Sequence, residues 1–316
     1  MSASFASALA AAHDAAAAQH HPRGALYMVA TPIGNLADIT LRALHLLQAA
    51  DTVACEDTRH TQQLLRAYGI DRPGATLLAV HQHNEAEAAQ TVVARLRDGQ
   101  RVAYASDAGT PAVSDPGARL AAAVRAAGLP VVPLPGASSV TAALSAAGVV
   151  GQGHDTGGFV FAGFLPTKAG ERAAAVAALA GESRAVVLLE APHRIEALAQ
   201  ALAPLGDRPV TLAREITKQF EEIATVAASG AAAWLAAGPQ RARGEFVVVV
   251  HPAPPAADDA DGGDAVRVLQ LLMAELPLKT AVRLAAEITG APRNGLYDRA
   301  LALRRAAPDE DGGADA

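Results

Sequence analysis

Short apolar runs alternate with amphipathic segments along most of the chain, and this alternation restricts the fold more than any other feature of the sequence. Residues 25–31 form an apolar run of strand length. Leu41, Leu44 and Leu47 then recur at the spacing of one buried helix face. The same order of strand and helix repeats several times. Alternating elements of this kind predict an α/β fold.

A polar stretch rich in Gly, His and Asp at residues 152–158 interrupts the alternation, so we place a domain boundary there. The predicted N-terminal α/β domain covers residues 25–150, with strands at 25–31, 52–56, 77–81, 101–106 and 131–134. The second α/β domain covers residues 151–252, with strands at 159–164, 185–190, 210–213 and 246–250.

The remaining segments are predicted to lie outside the two α/β domains. An acidic linker at residues 253–264 precedes a helical element at 265–305 and an acidic tail at 306–316. Residues 1–24 are rich in alanine, but His13 and Asp14 interrupt them and no basic start precedes them. We therefore expect a disordered tail at residues 1–24 and no signal peptide.

Composition restricts the compartment and the partners. Cys55 is the single cysteine, which excludes an internal disulfide and fits a reducing cytoplasm. No apolar run is long enough for a membrane span. The formal net charge is −6, yet six Lys and Arg residues face two acids within residues 279–305. This segment predicts a local basic surface on an acidic protein.

Four loops at predicted strand ends carry the features of a ligand site, although the chain has neither G-x-G-x-x-G after a strand nor a Walker lysine loop. In open α/β sheets, ligands bind at these carboxyl ends. The loop at 106–117 holds two each of Gly, Pro, Asp and Ser. This density favours ligand binding, with Asp107 as an acceptor for an ammonium or a ribose hydroxyl.

The other three loops are less decisive. Residues 30–35 form either an ordinary turn or a backbone approach to a ligand through Gly34. At 133–139, Ser138 and Ser139 open a helix whose N-terminus suits an anion, but simple capping explains them equally well. The loop at 55–60 combines ionisable side chains, which indicate a polar site or a solvated surface: Glu56, Asp57, Arg59 and His60.

The second domain adds ionisable residues after two strands, at 190–194 and 213–222. Internal ion pairing would also explain them. The chain has three lysines against twenty-three arginines. Each lysine (Lys168, Lys218, Lys279) stands beside such a loop or at a helix start, which makes these positions candidates for function.

In this order, the loops resemble the ribosomal RNA small-subunit methyltransferase I family of the tetrapyrrole-methylase-like superfamily. The resemblance runs from about residue 26 to 250 and continues at 276–290. Its most specific motifs are TPIGNLADITLRAL at 31–44, EDTRHT at 56–61 and SDAGTP at 106–111. Further matches are FAGFLP at 161–166, PHR at 192–194 and AREITK at 213–218.

The resemblance implies two α/β domains of the tetrapyrrole-methylase type with the cofactor in the cleft between them, and a homodimer. It implies methyl transfer from S-adenosyl-L-methionine to the ribose 2′-hydroxyl of a cytidine in the decoding region of 16S rRNA. Matching the superfamily's cofactor loops gives these cofactor-binding candidates: Pro32, Asp107, Thr110, Pro111, Ser138, Ser139, Leu189, Ala213 and Glu245.

Catalysis needs alignment of the hydroxyl and help with its deprotonation. Our hypothesis is that Arg59 grips the RNA backbone and that Lys218 or Glu56 assists deprotonation, with no metal. Pairing of Glu56 with Arg59 as scaffold is the competing interpretation. Other ionisable residues of the same loops stay open as candidates: Asp57, His60, Glu190, His193 and Arg214.

Two other functions remain alternatives. A tetrapyrrole C-methyltransferase would share the fold and the cofactor, and a non-catalytic ribosome-assembly factor would bind RNA alone. The segment 279–305 has the pattern helix, Gly290, helix, so it is either an RNA-contacting helix-turn-helix-like element or a solvated helical hairpin. The sequence leaves open whether free 16S rRNA or the 30S subunit is the substrate.

Overall fold

The computed structural model describes residues 5–81, 83–150, 158–254 and 263–306. They divide into two compact units, one holding both sheets and one holding the C-terminal helices. The proposed boundary at 152–158 lies almost wholly outside the described residues, as do most of the acidic linker and nearly all of the acidic tail. The predicted α/β fold is confirmed.

The first domain contains a five-stranded parallel sheet of order β3-β2-β4-β1-β5. Every residue of β1, β2 and β4 is buried, as expected for a parallel sheet covered on both faces. All five carboxyl ends therefore lie at one edge. The strands are β1 (Leu26–Val29), β2 (Thr52–Cys55), β3 (Leu77–Ala79), β4 (Val102–Ala105) and β5 (Val131–Leu134).

Helices of the first domain follow the strands as the periodicity predicts, with shifted starts. They are α1 (Ala6–Ala16), α2 (Leu41–Ala49), α3 (Thr58–Ala67), α4 (Glu85–Arg97), α5 (Gly117–Ala126) and α6 (Ser139–Ala147). Thr40, not Asp38, caps α2. Asp57 caps α3 through the amides of Arg59 and His60, so that helix begins three residues earlier than predicted.

Residues 6–16 form a helix, so the expectation of a disordered tail is wrong there. Ala12 and Ala16 of α1 are completely buried, and α1 packs on α2. The ring of Phe5 stands edge-on to Tyr68, with centroids 5.0 Å apart. Alanine is the best helix former, and its small side chain lets two helices approach closely. An alanine-rich segment therefore docks where composition alone indicated disorder.

The second domain contains a mixed sheet of order β6-β7-β10-β8-β9. Only β6 and β7 are parallel neighbours; the other pairs are antiparallel. Sequence reasoning missed the half-exposed edge strand β9. The elements are β6 (Phe159–Gly163), α7 (Ala169–Ala178), β7 (Ala185–Glu190), α8 (Ile195–Leu202), β8 (Pro209–Arg214), β9 (Glu222–Ala227), α9 (Ala231–Ala236) and β10 (Phe246–Val250).

The C-terminal unit consists of three helices, α10 (Gly263–Glu275), α11 (Leu278–Thr289) and α12 (Arg293–Ala306). Leu269, Val282 and Ala300 are buried in its own small core. Gly290, with φ of +73°, ends α11 in the left-handed conformation. Across the described ranges, no helix is both long and apolar enough to cross a bilayer.

The docking of α1 makes a stability prediction. Ala12→Asp should lower the free energy of unfolding by about 2–3 kcal/mol, because it places a carboxylate in a fully buried position. Ala11 is an exposed neighbour on the same helix, so Ala11→Asp is the matched control. Urea unfolding of both variants measures the difference. Equal effects would mean that α1 does not dock in solution.

Candidate active site

The carboxyl-end loops of β1 and β4 are joined by a short bridge. Thr31 and Gly109 each donate their backbone N–H to the other's carbonyl at 3.0 Å. The hydroxyls of Thr31 and Ser106 reinforce the bridge by donating to the carbonyls of Ser106 and Gly109. Gly109 has φ of +82°, and a Cβ there would lie 3.1 Å from Ile33 Cγ2. The bridge holds the two predicted ligand loops side by side.

An inter-domain cavity of about 280 Å³ opens beside this bridge. The first domain contributes Ile33, Ala108 and Ser139, and the second domain contributes most of the remaining wall. Its volume is close to the lower end of small-molecule sites. Four of the predicted cofactor residues line it: Ser139, Leu189, Ala213 and Glu245.

A connecting cavity of about 130 Å³ shares Ala108, Ser139 and Leu189 with the inter-domain cavity. Thr110 and Ser138, two further predicted cofactor residues, line it. Thr110 donates its hydroxyl hydrogen to the carbonyl of Ala137 at 2.9 Å, which ties the β4 loop to the β5 loop. The two cavities thus bring six of the nine predicted cofactor residues together.

A third, outer cavity of about 710 Å³ shares Glu56 and residues 113–115 with the connecting cavity. It lies at the carboxyl ends of β2, β3 and β4, and its wall includes His81, His83, Glu85 and Arg119. Glu56 therefore borders both the connecting and the outer cavity.

Glu56 is held at this boundary in an environment that favours its protonated form. Burial raises the pKa of its carboxyl, and the charges of Asp107 and Asp115 raise it further. The backbone N–H of Asp107, 3.3 Å from Glu56 Oε1, acts in the opposite direction and is outweighed. A carboxylate with a raised pKa is a better proton acceptor near neutral pH than an exposed one.

Asp107 joins the β2 and β4 loops but lines neither the inter-domain nor the connecting cavity. Its Oδ1 accepts a long hydrogen bond of 3.4 Å from the backbone N–H of Asp57, and His60 Nε2 lies 3.2 Å from its carbonyl oxygen. The carboxylate therefore keeps capacity for a further donor. Asp57 itself serves α3 as its cap, and those backbone hydrogen bonds lower its pKa.

Lys218 lies between two carboxylates. Its ammonium donates to Glu215 Oε1 and to Glu245 Oε2, each at 2.9 Å. Burial lowers the pKa of Lys218, but these hydrogen bonds outweigh burial and the net shift is upward. Lys218 lines the inter-domain cavity, whereas Glu56 does not. Lys218 is therefore an ammonium at neutral pH, which argues against its predicted role in deprotonation.

Several predicted residues lie away from these cavities. Pro32 and Pro111 are buried beside lining residues but line neither the inter-domain nor the connecting cavity. Arg59 is exposed on α3 and lines none of the three. Arg214 is buried and donates to the carbonyls of Phe220 and Arg243, so the interpretation as internal scaffold describes it better.

The lining residues also include Glu190, which the sequence left open as a candidate, and His81 and His83, which sequence reasoning missed. The Glu190 side chain is 1% exposed; its Oε1 accepts from the Ala191 N–H and lies 3.0 Å from Arg194 Nε, and its Oε2 has no hydrogen-bond partner among the described residues. It lines the inter-domain cavity. His81 and His83 follow β3 directly. The strand-end rule that singled out the other loops would have found both histidines.

Comparison with family models and solved structures identifies the fold class of this protein. The family model for Tetrapyrrole (Corrin/Porphyrin) Methylases matches residues 25–232, and that for the RsmI C-terminal HTH domain matches residues 259–304. Two solved structures share the fold with a TM-score of 0.52. They are a cobalt precorrin-4 methyltransferase (21% identity; 73% of this chain, 98% of that one) and the methyltransferase CobJ (22%; 72% and 94%).

Closer relatives narrow the class. The ribosomal RNA small subunit methyltransferase I of Neisseria meningitidis is 49% identical over 282 residues, covering 89% of this chain and 94% of the relative. That of Escherichia coli O157:H7 is 47% identical over 281 residues, covering 88% and 95%. The chain belongs to the ribosomal RNA small subunit methyltransferase I family. It is a methyltransferase, and its methyl donor is S-adenosyl-L-methionine.

The inter-domain cavity suits this cofactor. Leu189, Ile216 and Val247 give the cavity an apolar wall. The unpartnered, buried Glu190 Oε2 is an acceptor for an amino group. Glu215 and Glu245 add carboxylates that favour a positively charged ligand. Among the described residues, no group of three or more His, Cys, Asp or Glu side chains is placed to hold a metal ion.

We predict that Asp107→Ala weakens binding of S-adenosyl-L-methionine. If its spare acceptor capacity serves the cofactor, loss of that hydrogen bond should cost about 1–3 kcal/mol, or about 5- to 150-fold in Kd. Calorimetric titration measures the change. Asp71→Asn, at an exposed acid of the same domain, is the control and should bind normally. An unchanged Kd in folded Asp107→Ala would remove Asp107 from the site.

Proposed function

We propose that this protein transfers a methyl group from S-adenosyl-L-methionine to the ribose 2′-hydroxyl of a cytidine in the decoding region of 16S rRNA. The position of Glu56 carries the proposal. It borders the connecting cavity, which shares Ala108, Ser139 and Leu189 with the inter-domain cavity, and it also borders the wide outer cavity. The names of the relatives support rRNA as the acceptor.

In the proposed methyl transfer, Glu56, Lys218 and Arg59 each have a separate part. Bound S-adenosyl-L-methionine supplies an electrophilic methyl group on a sulfonium. Glu56 accepts the proton that the ribose hydroxyl loses, because its raised pKa brings its basicity closer to neutral pH. Lys218 keeps Glu215 and Glu245 in place on the cofactor side. Arg59, exposed at the start of α3, contacts an RNA phosphate.

The proposed assembly is a cytoplasmic homodimer that acts on 16S rRNA within the 30S subunit. Phe159, Phe164 and Phe220 of the second domain are 47%, 52% and 66% exposed. A contact with another chain would remove Phe159 and Phe220 from water, whereas Phe164 lines the inter-domain cavity. An rRNA substrate supports the cytoplasm, where ribosomal subunits are assembled.

Isotope-labelled methyl transfer to 30S particles lacking the modification, to free 16S rRNA and to a porphyrinoid tests the proposal. Label on the 2′-oxygen of one cytidine, located by nuclease digestion and mass spectrometry, is the expected result. Label on the porphyrinoid would instead indicate a tetrapyrrole methylase. Binding of RNA without any transfer would indicate an assembly factor.

In the same assay, Glu56→Gln should slow single-turnover methylation by about 10²–10⁴-fold, because an amide cannot accept the proton. The wild-type rate should rise with pH through a pKa above the usual range of a glutamate, since the ionised form is the base. The variant should lose that rise while keeping its melting temperature and cofactor affinity. A rate within twofold of wild type would show that Glu56 has a structural role and is not the base.

The C-terminal unit is proposed to bind RNA through its basic residues. Seven Lys and Arg residues of this unit are exposed: Arg267, Lys279, Arg283, Arg293, Arg299, Arg304 and Arg305. Deleting residues 266–316 should leave cofactor binding intact and weaken RNA binding. Each lost phosphate contact should flatten the logarithmic salt dependence by about 0.7–0.9. An unchanged salt slope would identify the unit as a structural hairpin.

A further inference from the structure

We propose that the outer cavity is a nucleobase pocket that selects cytosine through the paired side chains of Glu85 and Arg119. The inference rests on the proposed function and deepens it, since it names the chemistry that recognises the target base. The pocket would take the base alone, with the ribose at Glu56 and the methyl donor beyond the connecting cavity.

The charges of the outer cavity favour a base over a phosphate. Three carboxylates (Glu56, Glu85 and Asp115) line it, against the single guanidinium of Arg119. A phosphate entering this space would meet net negative charge, whereas a neutral ring bearing an amino group would not. RNA-modifying enzymes commonly take a base out of its stack into a closed pocket.

His81 and His83 supply flat side chains for such a ring. Both are exposed and line the cavity, and their rings stand edge to face with centroids 6.0 Å apart. Unstacked RNA bases are held by stacking on aromatic or histidine side chains. A base in the outer cavity can stack on one imidazole while the other closes its edge.

Glu85 and Arg119 present an acceptor beside a donor. Arg119 Nη1 donates to Glu85 Oε2, and across the described ranges neither side chain has another hydrogen-bond partner. This leaves Glu85 Oε1 as an acceptor and the remaining N–H groups of Arg119 as donors. The Glu85 side chain is 13% exposed and that of Arg119 is 77% exposed, so a fixed carboxylate lies beside a guanidinium that solvent reaches.

This pattern matches the Watson–Crick edge of cytosine and opposes that of uracil. Cytosine offers its N4 amino hydrogens to a carboxylate, and its N3 and O2 accept from a guanidinium. Uracil presents a carbonyl oxygen where cytosine has the amino group, and an N–H where cytosine has an acceptor. With uracil, the Glu85 carboxylate would face another acceptor and the Arg119 guanidinium would face another donor. Both hydrogen bonds would be lost, which would weaken the binding of uracil relative to cytosine.

The test compares 30S particles that carry cytidine or uridine at the target position. Wild-type protein should methylate the cytidine particle faster. Glu85→Gln, whose amide can also donate to a uracil carbonyl, should lower the ratio of the two rates by roughly tenfold or more. Asp71→Asn, an exposed acid that lines none of the three cavities, should keep the wild-type ratio.

A binding measurement separates this inference from the proposed function. Titration of the full chain with cytidine and uridine monophosphates, followed by the ring proton resonances of His81 and His83, requires no methylation. Larger shifts with the cytidine nucleotide, and loss of that preference in Glu85→Gln, support the pocket even if rRNA is not the acceptor. Equal or absent shifts, or an unchanged rate ratio in Glu85→Gln, would overturn it even if rRNA is methylated.

Discussion

The approach of Gly34 to Lys218 is the contact on which the arrangement of the site depends. Gly34 has φ of +152°, and a Cβ there would lie 2.4 Å from Lys218 Cγ. A glycine lets the first-domain loop rest directly on the lysine stem, while Glu215 and Glu245 hold the ammonium. The contact between the Gly34 backbone and the Lys218 side chain therefore sets the distance between the two domains at the inter-domain cavity.

One parallel sheet edge serves both halves of the proposed reaction. The loops after β1, β4 and β5 line the inter-domain or the connecting cavity, and those after β2, β3 and β4 line the outer cavity, with Glu56 of the β2 loop also lining the connecting cavity. The β4 loop belongs to both groups because β4 lies in the middle of the sheet. Methyl donor and acceptor can thus approach from opposite sides of the β4 loop, whose residues 113–115 line both the connecting and the outer cavity.

The fold was predictable from the sequence because apolar runs mark buried parallel strands, and the predicted strand positions of the first domain agree with the structure within two residues. Strand β9 was not predicted from the sequence because its half-exposed side chains form no apolar run. The site was harder to predict. Position after a strand identified Glu56 and Lys218, but the pKa of Lys218 depends on Glu245, which lies 27 residues away and is brought close only by the fold.

Glu215 and Thr217 both adopt left-handed backbone conformations, with φ of +51° and +69°. Each such residue costs about 1–3 kcal/mol, so the loop carrying Lys218 persists only because its neighbours impose it. The amides of Thr217 and Glu245 donate to Glu221 and Glu215, which supplies part of that constraint. The loop at residues 215–218 is therefore already ordered in the folded protein. A ligand that binds there loses little affinity to the conformational entropy of this loop.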